Sequence, residues 1–328
     1  MSGLLRAEVL RFRKRRSLQV IVFAVPLLAA FIFLASYSAV GPPPPAFDAA
    51  AARAELIAQG YGIGLPAEEL EKALDEAVEA QRFPFEQARQ QHEFQLAAFA
   101  FPQSIVLLLG NGTFVLFALL LLVATTIGDE FGWGTIRTTL LASSHRGRLL
   151  AVRLATILAI GLGLVASLAL LGLVLPGVLA VFGAPLGETH SVNLGALGVL
   201  VIGTLEAALL IVAFAAMATL LVRSGSLTLV VLLVYVAVEA AILTVLLRFD
   251  AFKDQGGLAW VLDAFPIRGL SRLLDTAARV ASGLPRYPGD AISTDLSIAN
   301  VPLIALLVWA AIFLAVAFRR FTRMDIVE

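Results

Sequence analysis

The sequence predicts an all-α polytopic membrane protein with six transmembrane helices. Hydrophobic residues make up 59% of the 328 residues and charged residues 15%, whereas soluble domains carry about 45–50% and about 25%. Six apolar runs are also long enough for a bilayer, which a helix of about 20 residues crosses. We expect one transmembrane domain over residues 1–328, with spans at 18–40, 103–127, 150–181, 194–222, 227–247 and 298–318.

The segment before the first span, residues 1–17, is basic and amphipathic. Leu5, Val9 and Phe12 fall on one face of a helix and arginines on the other, a pattern that predicts an interfacial helix. The alternative is a basic tail that only fixes topology. Because the apolar run 18–40 exceeds the core of a signal peptide, we expect an uncleaved first span.

Residues 41–102 are expected to form an external helical cap between the first two spans. An alanine-rich helix is expected to end at Gly60. Pro66 can open a second helix with Leu70 and Leu74 on its apolar face. We expect Pro84 to break that second helix.

The second external segment, residues 248–297, contains one amphipathic pattern. Apolar residues recur there at helical spacing: Ile267, Leu270, Leu273, Leu274, Ala277 and Val280. The spacing predicts a helix lying on the outer leaflet before the sixth span.

Basic residues indicate the orientation. They concentrate before the first span, in the connection 128–149 and after the last span. Because cytoplasmic loops are enriched in Lys and Arg, both termini are expected in the cytoplasm. The location expected for this multi-pass chain is the bacterial cell (inner) membrane.

The connection 128–149 carries more chemistry than a plain link between spans. Residues 128–153 read GDEFGWGTIRTTLLASSHRGRLLAVR. Residues 135–141 can form a short helix on which Ile136, Leu140 and Leu141 make an apolar knob beside Arg137. Either another protein grips this knob, or the connection lies along the lipid headgroups with Trp133 and the arginines as anchors.

The same residues resemble a pattern of type-2 ABC exporter permeases. That pattern is an acidic residue, a Gly-Thr pair, two hydrophobic residues, a Ser-Arg patch and a basic residue at the next span. The matching positions are Glu130, Gly134, Thr135, Leu140, Leu141, Ser143, Ser144, Arg146 and Arg153. A proline that often precedes the Ser-Arg patch in that family is absent. The resemblance implies that the coupling segment 128–149 transmits ATPase motion through Glu130, Gly134, Thr135, Ile136, Arg137, Leu140, Leu141 and Arg146.

The function implied is that of a permease subunit of an ATP-driven ABC exporter that moves a hydrophobic or amphipathic substrate. The chain has no G-x-x-x-x-G-K-[ST] motif, so ATP and Mg²⁺ are expected on a partner. We therefore expect no enzyme activity, no catalytic residue and no cofactor on this chain. The expected partners are two ABC ATP-binding subunits, a second permease subunit in a homodimer, and the lipid bilayer, with no nucleic acid.

Polar residues inside the spans leave alternatives open. A carboxylate at mid-membrane costs about 2.5–3.5 kcal/mol on insertion scales, so Glu206 and Glu239 either bind cargo or protons, or bridge helices. Asn111 and Thr113 are further candidates for a substrate path or for helix contacts. The functional alternatives are a proton-coupled secondary transporter that uses both glutamates, and a scaffold without transport. The three histidines lie in separate regions, so no metal site is expected.

Overall fold

The computed structural model describes residues 16–61, 66–110, 113–132, 134–136, 145–188, 193–249, 258–282 and 300–324, together with Arg6, Ala7, Leu10, Lys14, Gly64 and Thr138. These residues form helices and connections, and no strand occurs among them. Six of the helical segments are long and apolar enough to cross a membrane. The prediction of an all-α membrane protein is confirmed at this level. Most of the predicted interfacial helix lies outside the described residues.

The helices are numbered in chain order. They are α1 (Arg16–Val40), α2 (Ala49–Ala58), α3 (Ala67–Ala97), α4 (Gln103–Gly110), α5 (Thr113–Gly132), α6 (Arg146–Val181), α7 (Leu194–Val222), α8 (Gly225–Leu246), α9 (Ala259–Asp263), α10 (Pro266–Ser282) and α11 (Asn300–Thr322). The candidate spans are α1, α4 with α5, α6, α7, α8 and α11. Two helices extend into the predicted connection 128–149, because α5 continues to Gly132 and α6 already begins at Arg146.

The centre of the bundle is α7, and α8 lies at its edge. In the most apolar stretch of each helix, 67% of the residues are buried in α7 but only 6% in α8. Small residues allow this close packing of α7, since a side chain at Gly203 would meet Leu273 of α10 at 3.0 Å. Consequently α7 contacts α5, α10 and α11 at once.

Two contacts define the two ends of the bundle. Tyr37 near the end of α1 donates a hydrogen bond to the Pro185 carbonyl after α6, at 2.9 Å. At the opposite end, Arg146 at the start of α6 donates to the Met324 carbonyl just after α11. We call the end with Arg146 and Met324 the basic end, and the end with Tyr37 and Pro185 the cap end.

The cap is a helical hairpin of α2 and α3. The chain leaves α2 through Gly60, whose φ is +78°. The amides of Gly60 and Tyr61 donate to the carbonyls of Ile57 and Leu56, which is a Schellman end. Ion pairs between Arg53 on α2 and acidic side chains of α3 connect the two helices of the hairpin.

The expected break at Pro84 is wrong, because α3 continues through it from Ala67 to Ala97. A proline inside a helix loses one backbone hydrogen bond and clashes with the preceding turn. Here Arg82 forms ion pairs with Glu79 at 3.3 Å and Glu86 at 2.6 Å. The Arg82–Glu86 pair spans Pro84 and, as an exposed pair one helical turn apart, offsets only a small part of the cost of a proline inside a helix.

The expected amphipathic helix before the last span is α10, but its environment differs from the prediction. Leu270, Leu273, Leu274, Ala277 and Val280 are buried as the spacing indicated. The surface that buries them is the protein itself, because α10 packs on α7, α4 and α11. The helix therefore forms part of the bundle at its cap end instead of resting on lipid.

Candidate functional site

The strongest polar contact of the basic end joins the ends of α5 and α6. Glu130 and Arg153 form a two-pronged ion pair, with Nη1 to Oε2 at 2.7 Å and Nη2 to Oε1 at 3.0 Å. The side chains are 0% and 1% exposed. Glu130, which the sequence predicted as a coupling residue, is therefore buried inside the bundle. Burial of both charges is tolerated because the two planar groups satisfy each other bidentately.

The chain turns out of α5 through Gly134. This residue has a φ of +68°, a left-handed conformation that glycine adopts without steric cost. Ile136 follows and is 7% exposed, packed with the core residues. It therefore does not belong to an exposed apolar knob as predicted, whereas Thr135 and Thr138 are exposed. Arg137, Leu140 and Leu141 lie outside the described residues.

Arg146 is half-buried and bonds to the end of α11. Its Nη1 donates to the Met324 carbonyl at 2.5 Å and, at a longer 3.5 Å, to that of Thr322. Carbonyls at the end of a helix lack intrahelical partners, and a cation there interacts favourably with the helix dipole. Its guanidinium therefore caps the end of α11, and the predicted contact of Arg146 with a partner protein stays a prediction.

A close backbone crossing completes the basic end. A Cβ added to Gly128 in α5 would clash with the backbone of Gly225 at the start of α8. Conversely, a Cβ on Gly225 would lie 2.6 Å from the Ala124 carbonyl oxygen. Gly128 lies within α5, where the missing side chain permits this close contact. Sequence reasoning missed Gly225, since nothing in the sequence pairs it with α5.

The two membrane glutamates have different surroundings. Oε1 of Glu239 accepts hydrogen bonds from the amides of Ile267 at 2.8 Å and Arg268 at 2.9 Å. Glu239 on α8 therefore caps the N-terminus of α10. Glu206 on α7 is partly buried, and among the described residues no hydrogen-bond donor reaches its Oε2 or the Oε2 of Glu239.

The other proposed path residues are not brought together. Asn111 lies outside the described residues. Thr113 begins α5, and its side chain is not described. Glu206 and Glu239 are also absent from the lining of a cavity bounded by α4, α5, α8 and α10.

That cavity lies at the edge of the bundle between α4, α5, α8 and α10. Its volume is about 600 Å³, within the usual range for ligand pockets of roughly 300–1,000 Å³. The walls from α5 and α8 are apolar, including Phe117, Leu232 and Val236, while α10 contributes Ser271 and an ion pair between Asp275 and Arg279. The four-residue spacing of Ser271, Asp275 and Arg279 is the one sequence signal that could have indicated this site.

Six apolar helices and their close packing define a multi-pass, all-α membrane protein. The chain belongs to the family described as "Protein of unknown function (DUF2705)", whose model matches residues 73–327. The match starts within α3 and includes every span after the first. A search of curated proteins found no match to this chain.

Proposed function

We propose that this protein is the permease subunit of an ATP-driven ABC exporter. Its ATP and Mg²⁺ bind to a separate ATPase subunit, because this chain has no phosphate-binding loop motif. The basic end faces the cytoplasm of a bacterial cell, where the ATPase resides. Two permease chains related by a two-fold axis and two ATPase subunits make up the transporter.

The observation that carries this proposal is the attachment of the 128–153 segment at both of its ends. Where it leaves α5, the buried pair of Glu130 and Arg153 ties α5 to α6. Where it enters α6, Arg146 is bonded to the end of α11. A displacement of the connection by a partner is therefore transmitted to three spans at once, since close-packed interiors transmit strain.

The cargo that suits this chain is amphipathic. The 600 Å³ cavity has apolar walls on α5 and α8 and a polar wall on α10. This composition matches binding sites in which apolar surface supplies affinity and a few polar groups fix orientation. The cavity touches α5, whose other end carries Glu130, so the coupling segment and the cargo site share one helix.

One observation favours a second function, proton-coupled transport. Oε2 of Glu206 is buried and has no hydrogen-bond donor in the described part of the chain. A carboxylate oxygen inside a span with no protein donor is a candidate site for a mobile proton or a cation. The Oε2 of Glu239 is also buried without a donor among the described residues, but Glu239 fits this role less well because its Oε1 already caps α10.

Purification of the full chain from its native membrane in a mild detergent tests the proposal directly. We expect an ATPase with a phosphate-binding loop to remain bound, and substrate transport in proteoliposomes to require ATP. Transport that follows a proton gradient and ignores ATP would instead establish the Glu206 mechanism.

A matched pair of variants locates the ATPase contact. Thr135→Trp adds bulk to an exposed position of the connection, while Gln90→Trp adds the same bulk to an exposed position of the cap. We expect only Thr135→Trp to lower ATPase binding, with both chains folded. Glu130→Ala is less informative, because loss of a buried ion-pair partner also destabilises the fold.

A further inference from the structure

We infer that the cavity between α5, α8 and α10 binds a zwitterionic amphiphile with a single apolar chain. This inference rests on the proposed export function for the role of the ligand as cargo, but the binding site itself does not depend on an ATPase. Its basis is the arrangement of charge and apolar surface around the cavity.

The polar wall is one stripe of α10. Ser271, Asp275 and Arg279 follow one another at intervals of four residues and therefore lie on one face of the helix. All three line the cavity and are exposed. The opposite face of α10, with Leu273 and Ala277, is buried in the bundle. Because the opposite face of α10 is fixed in the bundle, the polar stripe faces the cavity.

Among the described lining residues, Asp275 and Arg279 are the charged ones. They form an ion pair, and their side chains are 64% and 43% exposed. An exposed pair one helical turn apart contributes little stability, so ligand groups can replace it readily. Asp275 then binds an ammonium group, and Arg279 binds a phosphate through its planar fork of N–H donors.

A ligand with both charges fits this wall better than a ligand with one. An anion alone would satisfy Arg279 and leave Asp275 close to a like charge, whereas a cation alone would do the reverse. A zwitterionic headgroup replaces one internal ion pair with two intermolecular pairs. Electrostatic complementarity of this kind determines specificity between ligands of similar size.

The apolar walls determine where the chain of the ligand lies. Leu116, Phe117 and Leu120 of α5 face Leu232 and Val236 of α8 across the cavity. These α8 positions lie along the middle of that helix, away from the cap end. An alkyl chain therefore extends from the α10 headgroup site towards the middle of the bundle, where burial of its methylene groups stabilises binding.

The test is a binding titration on the full chain in an uncharged maltoside detergent, with native mass spectrometry as the readout. The three probes share one acyl chain: lysophosphatidylcholine is zwitterionic, lysophosphatidylglycerol is anionic and monoacylglycerol is neutral. We expect lysophosphatidylcholine to bind roughly tenfold more tightly than either of the others, where a tenfold ratio in Kd is about 1.4 kcal/mol. Equal binding of all three probes would overturn the inference, as would equally tight binding of a diacyl phosphatidylcholine.

Three variants determine whether the preference arises in this cavity. Asp275→Asn with Arg279→Gln removes both charges and should abolish the preference, whereas Glu93→Gln with Arg89→Gln removes a similar pair on α3 and should preserve it. Ser271→Trp fills the cavity and should weaken binding of all three probes. A preference that survives the first variant, or binding that the third variant leaves undiminished, contradicts the inference, provided that thermal unfolding shows a folded chain.

The assay contains no ATP and no ATPase, so the two proposals fail separately. Loss of zwitterion selectivity in a chain that still binds an ATPase overturns the ligand site alone. Selective binding by a chain that binds no ATPase and transports without ATP overturns the exporter alone.

Discussion

The two ends of this bundle are held together by different kinds of contact. At the basic end, a buried ion pair between Glu130 and Arg153 and a backbone crossing at Gly225 leave little free space. At the cap end, the apolar face of α10 packs on α7, and one carboxylate, Glu239, connects α10 to α8. A cavity of about 600 Å³ lies beside that connection.

This difference indicates which parts of the molecule can move. A close-packed end with paired charges has one low-energy arrangement and transmits displacement. The edge helix α8 has few protein neighbours, because 6% of its apolar stretch is buried. Its contacts include Gly225 at one end, Tyr235 against Phe214 in its middle and Glu239 at the other end, so its outer face is the part least constrained by protein neighbours.

The largest expected effect comes from removing the buried ion pair of the basic end. Arg153→Met leaves the Glu130 carboxylate buried without its partner, which we expect to cost about 3–5 kcal/mol. The double variant Glu130→Leu with Arg153→Met should recover most of that loss, because two apolar side chains can replace a buried ion pair. Reversible unfolding in mixed micelles, analysed as a double-mutant cycle, measures both the loss of stability and its recovery. A single variant as stable as the parent would show that the pair does not hold this end.

The second prediction concerns the backbone crossing. Gly225→Val places side-chain atoms against the Ala124 carbonyl and should destabilise the chain by about 1–3 kcal/mol. The control is Gly163→Ala in α6, where an added Cβ meets nothing within 4 Å. That change should stabilise the helix by about 0.5–1 kcal/mol. Opposite signs in the same unfolding assay would confirm the crossing; equal effects would contradict it.

The sequence alone predicted the helical elements well. Long apolar runs identify spans because a bilayer requires about 20 apolar residues, and the spacing of Leu270, Leu273 and Leu274 identified the buried face of α10. Both signals are local in the chain. They depend on helix geometry and hydrophobicity, which nearby residues determine.

The candidate site could be predicted only in part, because its contacts join distant residues. Glu130 and Arg153 stood out in the sequence, but their pairing depends on how α5 and α6 align side by side. The contact between Gly225 and α5 likewise depends on packing. The cavity depends on how α8, α5 and α10 are spaced, which no residue pattern within α8 specifies.

The third prediction addresses the connection between α8 and α10. Glu239→Ala removes the acceptor for the amides of Ile267 and Arg268 and should cost about 0.5–2 kcal/mol, as loss of a helix cap does. Glu239→Gln keeps an oxygen acceptor and should retain most of the stability and of the transport activity. Transport measured over a range of pH with both variants separates a capping role of Glu239 from a role in binding cargo or a proton. Loss of transport in a stable Gln variant would show that the carboxylate itself binds cargo or a proton.

The smallest expected effect lies in the cap hairpin. Arg53 on α2 lies 3.6 Å from Glu71 and 3.4 Å from Asp75 on α3, and all three side chains are substantially exposed. Exposed pairs of this kind contribute about 0–1 kcal/mol and are screened by salt. We therefore expect Arg53→Ala to change stability by less than about 1 kcal/mol, and the difference from the parent to vanish at high ionic strength. The Arg153 variant should remain unstable at every salt concentration, because solvent ions do not reach a buried pair. If both variants responded to salt alike, the contrast between a buried ion pair at the basic end and solvated pairs at the cap end would be wrong.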